Sequence, residues 1–338
     1  MLCSNNIKFY MGDPLQVRGA EELVLRNNAK GNGMRLLYIR NGLGLEVFLS
    51  LDRAGDAVRV NFKGDNLGFF APCGFVSPQY FDAKSNAFLK SFTAGFFTTC
   101  GLTNVGNGGC DGDEIMPKHG TVSNTPAKLI SSEETDDGLT VKLQVKDASL
   151  FGTKLVLNRE FFFSYLENAF TLKDTAQNVG DIESPYMVLY HCNMGYPLLS
   201  ENAVVKIPGN VTPYNEWAAQ HLESALKISP PEAEYISRCY YYDVSEKKGM
   251  ANVGIFNGDI NKGLVISYDK KALPSFTQWK MLGKYDYVLG LEPSNCSIEG
   301  RLADRKKGVL KTLKPDESAE STMKFIFVDD KKGFEGAF

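Results

Sequence analysis

The stretch YMVLYHCNMGYP, residues 186–197, runs from an apolar segment into one histidine and then into residues that break regular structure. The apolar segment leads to His191, and Gly195 and Pro197 follow within a few positions. A short apolar run that is bounded by Gly and Pro is typical of a buried β-strand. We therefore predict a strand that delivers one imidazole to its end. That imidazole is either a catalytic group or a core histidine with a satisfied hydrogen bond.

The composition of the whole chain favours a β-rich fold around this strand. The 338 residues include 22 Phe, 15 Tyr and 32 Gly, so strand-forming and turn-forming residues are both abundant. Many short strands at close spacing are typical of a sandwich or barrel. We predict an all-β fold, built as one extended antiparallel sandwich. We expect a single domain over residues 1–338, with residues 1–33 as an N-terminal extension packed on it.

Several strands are marked by turns or by alternation of apolar and polar residues. The Asn41-Gly42 pair is a strong signal for a hairpin between two strands. In residues 139–147, LTVKLQVKD, apolar and polar residues alternate with the period of a half-buried strand. Two more strands are predicted on either side of a turn at residues 165–168. Five further short strands are predicted between residue 230 and the C-terminal region.

Two segments depart from this pattern. Residues 216–227, EWAAQHLESALK, have apolar side chains near helical spacing and are predicted as the one short helix. His221 lies inside it and is expected to be a surface or packing histidine. Residues 84–126 are rich in Gly, Thr and Asn. We predict an ordered loop region there, which at this length is more often functional than not, and it carries His119.

Charge, cysteines and motifs exclude several classes of function. The net charge is −3 without a basic block, which disfavours nucleic acid and anionic membranes as partners. The chain shows neither a signal-peptide pattern nor a membrane-length apolar stretch. Seven scattered cysteines without a CxxC pair disfavour a disulfide framework and favour a reducing cytoplasm. Three isolated histidines predict no metal site, and GxSxG, Walker and GxGxxG motifs are absent.

A second candidate for proton transfer follows about a hundred residues after His191. Glu292 lies in LGLEPSN, after an apolar run and before Pro293, which favours extended backbone at the glutamate. A carboxylate and an imidazole can act as base and acid near neutral pH. The alternative is an ordinary surface glutamate at the end of a strand.

Four longer motifs resemble a less characterised branch of the aldose 1-epimerase (galactose mutarotase) superfamily. They are FTTCGLTNVG (97–106), HGTVSNTPA (119–127), YHCNMGYPLL (190–199) and QWKMLGKYDYVLGLEPSN (278–295). The turn RAGD (53–56) resembles an Arg-Gly-x-Asp-like turn of the same branch. The similarity covers most of residues 35–327. It implies a large galactose-mutarotase-like β-sandwich with a short helix and long loops.

The resemblance also implies roles for individual residues. His191 would be the general acid and Glu292 the general base of anomer interconversion. The residues expected to contact the sugar are His119, Arg53, Asn193, Trp279 and Lys280, and Tyr287 is a further stacking candidate. Core packing is the alternative for Trp279. Characterised galactose mutarotases have a G-R-x-x-N-R segment with a sugar-binding arginine. The matching residues 98–104, TTCGLTN, have none, so either Arg53 replaces it or the sugar differs.

In the implied mechanism, Glu292 takes the proton of the anomeric hydroxyl while His191 protonates the ring oxygen. The two groups are expected on opposite sides of the sugar ring, where mutual attraction lowers the pKa of Glu292 and raises the pKa of His191. No cofactor is expected, the partner is a monosaccharide or sugar derivative, and the chain is a monomer or homodimer. Two other functions stay open: a non-catalytic carbohydrate-binding or sensing protein, and an isomerase or lyase that acts on a sugar derivative.

Overall fold

The computed structural model describes residues 13–338, and the first part of the predicted N-terminal extension, residues 1–12, lies outside them. In chain order the strands are β1 (Arg18–Val24), β2 (Arg35–Asn41), β3 (Leu45–Ser50), β4 (Asp56–Phe62), β5 (Asp65–Asn66), β6 (Phe69–Phe70), β7 (Ala94–Gly95), β8 (Phe97–Leu102), β9 (Gly109–Asp111), β10 (Glu114–Met116), β11 (Ala127–Glu134), β12 (Gly138–Ala148) and β13 (Lys154–Ser164). They continue as β14 (Ala169–Asn178), β15 (Ser184–Pro185), β16 (Met187–Met194), β17 (Ala203–Lys206), β18 (Gly209–Pro213), β19 (Arg238–Val244), β20 (Glu246–Lys247), β21 (Met250–Asn257), β22 (Lys262–Asp269), β23 (Ser275–Leu282), β24 (Tyr287–Ser294), β25 (Thr312–Leu313) and β26 (Ser318–Val328).

Three antiparallel sheets form the body of the molecule, which confirms the predicted all-β sandwich. The first has the strand order β1-β2-β3-β4-β5. The largest has the order β11-β12-β13-β14-β26-β22-β21-β17, with β20 paired to β21. The third has the order β18-β19-β23-β24-β16-β8 and therefore places the strand of His191 between β8 and β24.

The largest sheet packs against the other two through aromatic side chains. Phe97 of β8 stacks on Phe325 of β26 with ring centroids 5.8 Å apart, and Phe62 of β4 contacts Phe327 of β26. Along β12, buried residues alternate with more exposed ones, as the apolar alternation predicts. The Asn41-Gly42 pair lies between β2 and β3, which form the predicted hairpin.

A buried ion network joins the sheets behind β16. Arg159 of β13 donates hydrogen bonds to Asp56 (2.8 Å) and to both carboxylate oxygens of Asp174 (3.0 Å each). The hydroxyl of Tyr190 donates to the same Asp174 carboxylate at 2.8 Å. Because Tyr190 precedes His191, this network fixes the inner face of the strand that carries the histidine.

Two predictions about local structure are wrong. The predicted helix at residues 216–227 is split into α1 (Glu216–Ala219) and a 3₁₀ turn (Leu222–Ser224), and between them the carbonyl oxygen of His221 accepts a hydrogen bond from the Tyr240 hydroxyl. It is also not the one helix: α2 (Arg301–Lys306) and α3 (Lys331–Glu335) follow. Within residues 13–338, no helix has the length and apolar character needed to cross a membrane.

The segment at residues 84–126 is more regular than predicted. It contains a 3₁₀ turn (Ser85–Lys90), the strands β7 to β10 and a second 3₁₀ turn (Val122–Asn124). Its strand β8 is buried along its whole length, because it pairs with β16 and packs against the largest sheet. A strand that is buried on both faces has no alternation to mark it.

Candidate active site

The site is built on the sheet that contains β16 and β24. These strands are antiparallel neighbours, and the register that pairs Cys192 with Leu291 places His191 directly beside Glu292. The neighbouring strand β23 brings Thr277 opposite Glu292, while β8 brings Thr98 opposite His191. The two predicted proton-transfer groups therefore form a cross-strand pair in one sheet rather than two separate strand ends.

The paired side chains are in direct contact. Nε2 of His191 lies 3.3 Å from Oε1 of Glu292, and both side chains are buried. The Nε2–Oε1 contact lacks the alignment of a hydrogen bond, so Oε1 of Glu292 has no hydrogen-bonding partner in the described part of the chain. Nδ1 of His191, on the other side of the ring, also has none there. Buried polar atoms without partners are rare in proteins outside functional sites.

Burial moves the two pKa values in directions opposite to those expected from mutual attraction. Desolvation raises the pKa of Glu292 to about 8. Desolvation also lowers the pKa of His191 to about 4, which the neighbouring Asn193 side chain partly opposes and Lys118 reinforces. These directions are opposite to those of the expected charged pair, because removing water from the two side chains disfavours each charged form.

His119 is held against this pair by a tight loop. Its backbone has φ of 61°, in the left-handed region, and its Nδ1 accepts a hydrogen bond from the Gly106 N–H at 3.4 Å. In the neutral ring the hydrogen therefore lies on Nε2, which makes that atom a donor. The centroid of the ring is 5.8 Å from that of His191, and burial keeps the pKa of His119 well below its usual range.

A cavity of about 370 Å³ opens above these three groups. Phe92 and Trp279 lie edge-on to the His191 ring, with centroids 5.2 Å and 5.3 Å away, and Phe88 packs against His119 at 5.5 Å. The other lining residues are Leu89, Gly106, Asn107, Lys118, Tyr214, Ser237, Cys239 and Ile298. The walls are therefore mainly apolar and aromatic, with a few polar groups, as is common in small-molecule sites.

Four of the predicted sugar contacts lie elsewhere, so we assign none of them a direct contact. The guanidinium of Arg53 is buried and donates to the carbonyl oxygen of Val76 at 2.9 Å. Asn193 donates to the carbonyl oxygens of His191 and Ala94 within the sheet. The remaining two point away from the cavity and bind backbone carbonyls of the 224–229 segment: Lys280 and Tyr287.

The orientation of Lys280 follows from strand geometry. Successive side chains alternate across a sheet, so Trp279 and Lys280 cannot both face the cavity. Trp279 does, and the Lys280 ammonium donates to the carbonyl oxygen of Ser224 at 2.6 Å. His221, predicted to have a surface or packing role, packs against Trp217 with ring centroids 4.3 Å apart and the rings tilted by 55°.

Several residues that shape the site were not predicted. Phe88 and Phe92 come from the 84–126 segment, whose path over the sheet is set by tertiary contacts. Gly290 leaves room for the carboxyl group of Glu292, since a Cβ there would lie 2.3 Å from Oε1. Asn104 is fully buried and ties three segments together through Asn107, Pro117 and Arg301. Of these residues, Gly290 had a signal in the sequence, because it lies two positions before the candidate Glu292.

No group of three or more potential metal-ligating side chains is clustered in the part of the chain that the structure covers. The chemistry available to the site is therefore proton transfer by His191 and Glu292 and hydrogen bonding by His119. The aromatic rings supply apolar faces on which the C–H groups of a sugar can pack.

Comparisons with known proteins identify solved structures with a similar fold. The chain resembles a proposed aldose 1-epimerase from Klebsiella pneumoniae with a TM-score of 0.89 and 24% identity, over 98% of this chain and 88% of that one. A galactose mutarotase-like protein from Clostridium acetobutylicum (TM-score 0.64, 15% identity) and a galactose 1-epimerase from Lactobacillus acidophilus (TM-score 0.60, 13% identity) each align over 93% of this chain and 99% of their own. No curated protein sequence matches significantly.

These similarities assign the fold to the aldose 1-epimerase and galactose mutarotase-like proteins. A family model described as "Domain of unknown function (DUF4432)" matches residues 31–326, which is most of the sequence. The chain therefore belongs to the DUF4432 family, with a galactose-mutarotase-like β-sandwich fold.

Proposed function

We propose that this protein is a carbohydrate isomerase that interconverts the α and β anomers of an aldose by opening and reclosing the sugar ring. The main support is the buried contact of 3.3 Å between His191 and Glu292 at the base of an aromatic cavity. An acid and a base that face one small cavity are what ring opening requires. The fold similarity to aldose 1-epimerases adds support at the level of the fold.

The direct contact between the two groups suits the geometry of the reaction. The oxygen of the anomeric hydroxyl and the ring oxygen are both bonded to the anomeric carbon, so the base and the acid must reach two neighbouring atoms. Side chains on opposite sides of the sugar ring, as expected from the sequence, are not needed. A cross-strand pair in a rigid sheet holds both groups in position before the substrate arrives.

The pair works as a unit that holds one proton. At neutral pH the pKa values of about 4 for His191 and about 8 for Glu292 correspond to a neutral imidazole and a protonated carboxyl group. The form with an imidazolium and a carboxylate contains the same number of protons. In either form one group removes the hydroxyl proton while the other protonates the ring oxygen. Rotation about the C1–C2 bond and reclosure with the roles exchanged give the other anomer.

The remaining cavity residues bind the substrate in this proposal. Nε2 of His119 donates a hydrogen bond to a sugar oxygen, because its Nδ1 is already occupied by the Gly106 N–H. Trp279 and Phe92 pack against the C–H face of the ring and keep water from the pair.

Anomer exchange tests the proposal directly. Freshly dissolved α-anomers of several aldoses are followed by polarimetry or NMR with the wild type, with Glu292→Gln, and with Gly258→Ala as a control at an open surface position. We expect the wild type and the control to accelerate exchange of at least one sugar and Glu292→Gln to lose most of this activity. If no aldose, neutral or charged, is accelerated, the proposal fails.

A non-catalytic sugar-binding protein is the second candidate, and one observation favours it. No arginine is found among the residues that line the cavity in the described part of the chain, whereas the resemblance to characterised galactose mutarotases implies a sugar-binding arginine. Calorimetric titration with the same sugars separates the two functions. Tight binding without acceleration would support the second candidate and contradict the first.

A further inference from the structure

Lys118 supplies a positive charge to the cavity that the proposed reaction does not use. It precedes His119, lines the same cavity and is half-buried. Within residues 13–338 no carboxylate lies at ion-pair distance from its ammonium group. The charge of Lys118 acts on His191, because it adds to the lowering of the His191 pKa by burial. A partly desolvated cation without a counter-ion is a favourable site for an anion.

A second cavity of about 570 Å³ adjoins the first. Asn107 and Lys118 line both cavities, so they form the boundary between them. The second cavity is also lined by Lys84 and by the glycine-rich loop Gly108–Gly109. The backbone N–H groups of Asn107 and Gly108 donate no hydrogen bond to any acceptor in the described residues. Lysines beside free N–H groups are a recurring arrangement for binding anionic groups.

The acidic residues nearby do not cancel this charge. Asp111 and Glu114 belong to the β9–β10 hairpin beside the second cavity, and both are paired with Arg301. Asp111 also pairs with Arg305. The carboxylate of Asp82 accepts the backbone N–H of Lys84 and lies among the exposed residues at the rim. The cavity walls therefore carry two lysines and no lining carboxylate apart from Glu292.

We propose that the aldose bound at His191 and Glu292 carries an anionic substituent, a phosphate or a carboxylate, which extends toward the second cavity and is bound by Lys118 and Lys84. This inference rests on the proposed function for the position of the sugar ring. The two lysines are 34 positions apart in the sequence and line one cavity only in the fold, so no basic cluster in the sequence marks this site.

The test compares three related sugars: D-glucose, D-glucose 6-phosphate and D-glucuronate. Anomer exchange and calorimetric binding are measured for the wild type, Lys118→Met, Lys84→Met and the control Lys90→Met, which changes an exposed lysine outside both cavities. We expect one of the two charged sugars to be preferred. Lys118→Met should raise KM and Kd for that sugar by about 10-fold to 100-fold, the range for a charge-assisted hydrogen bond, and should lower the preference for that sugar over D-glucose, a ratio that Lys90→Met leaves unchanged.

The outcomes separate this inference from the proposed function. If D-glucose is turned over as well as both charged sugars and Lys118→Met affects all three equally, the anionic site is ruled out while anomer exchange stands. If the charged sugars bind with a dependence on Lys118 but no sugar is turned over, the anionic site stands and the isomerase proposal fails. A preference for phosphate over carboxylate, or the reverse, identifies the substituent.

Discussion

His191 and Glu292 lose contact with water when β16 and β24 pair, and this loss shifts both side chains toward their neutral forms. The expectation from charge attraction alone pointed the other way. The difference arises because no hydrogen bond joins the two groups, so desolvation is not offset. At neutral pH the imidazole of His191 and the carboxyl group of Glu292 therefore share one titratable proton.

This protonation state predicts a bell-shaped pH profile. Below about pH 4 His191 gains a proton and the pair has no base, and above about pH 8 Glu292 loses its proton and the pair has no acid. We expect kcat/KM for anomer exchange to be level between these values and to fall on both sides. The pKa values read from the two sides of this profile describe the pair of groups and not one residue each. A rate that keeps rising to alkaline pH, after subtraction of uncatalysed exchange, would contradict the one-proton pair.

Gly290 offers a second test at the level of single residues. A methyl group there would lie 2.3 Å from Oε1 of Glu292 and 3.0 Å from Cβ of Trp279, so the carboxyl group must move. We expect Gly290→Ala to lower kcat by about tenfold to 100-fold, as a displaced catalytic group does, with the protein still folded. Gly258→Ala is the matched control, since nothing lies near that position. Equal activity of the two variants would show that the carboxyl position is unimportant.

The strand β16 is held from both edges and from its inner face. It pairs with β8 and β24, and Tyr190 joins the network formed by Arg159, Asp56 and Asp174. The outer face is left to His191 and the cavity. The network therefore stabilises the position of the strand, and through it the position of His191 beside Glu292.

Removing the cation of this network should be strongly destabilising. Arg159→Met leaves two buried carboxylates without their partner, so we expect the free energy of unfolding to fall by about 3–5 kcal/mol in urea denaturation. The control is Lys142→Ala, which breaks the exposed pair with Glu160 on the same sheet and should change stability by less than about 1 kcal/mol. Similar losses in both variants would contradict the role given to the buried network.

The sequence predicted the strands that have one buried face and one more exposed face. β12 and the β2–β3 hairpin follow from alternation and from Asn41-Gly42, because one-sided burial leaves a period of two in the sequence. It missed β8, which is buried on both faces and reads as a Gly- and Thr-rich loop. The helix at 216–227 was overestimated because the spacing of apolar side chains indicates a buried face but not the residue at which α1 ends, which is Ala219.

Site residues could be predicted where a motif in the sequence contains them. They could not be predicted where their position depends on how a loop folds. The motif resemblance led to His191, Glu292, His119 and Trp279, which all line one cavity. Arg53 was selected only because an arginine was missing elsewhere, and its side chain turned out to bind a backbone carbonyl. Lys118 was not selected, since its exposure to the cavity depends on how the glycine-rich loop folds.

At the scale of the whole molecule, the buried carboxyl group of Glu292 should reduce stability at alkaline pH. The pKa of Glu292 is raised to about 8 in the folded state, so between its ordinary pKa and pH 8 the folded protein holds a proton that the unfolded chain releases. Stability therefore falls as pH rises through this range. We expect Glu292→Gln to be more stable than the wild type at about pH 9, by on the order of a few kcal/mol, and nearly equal at about pH 4. Thermal or urea denaturation at both pH values measures this, and a destabilised variant at alkaline pH would contradict the buried, protonated carboxyl group.

The central claim, that His191 and Glu292 act as one proton-transfer unit, is tested most directly by combining two substitutions. The rate of anomer exchange is measured by NMR, on the best substrate of the sugar panel, for His191→Asn, Glu292→Gln and the double variant. Groups that work as a unit give non-additive losses. We predict that each single variant loses about 100-fold to 10,000-fold and that the double variant loses no more than the single ones. Wild-type rates in either single variant, or losses that multiply in the double variant, would contradict the claim.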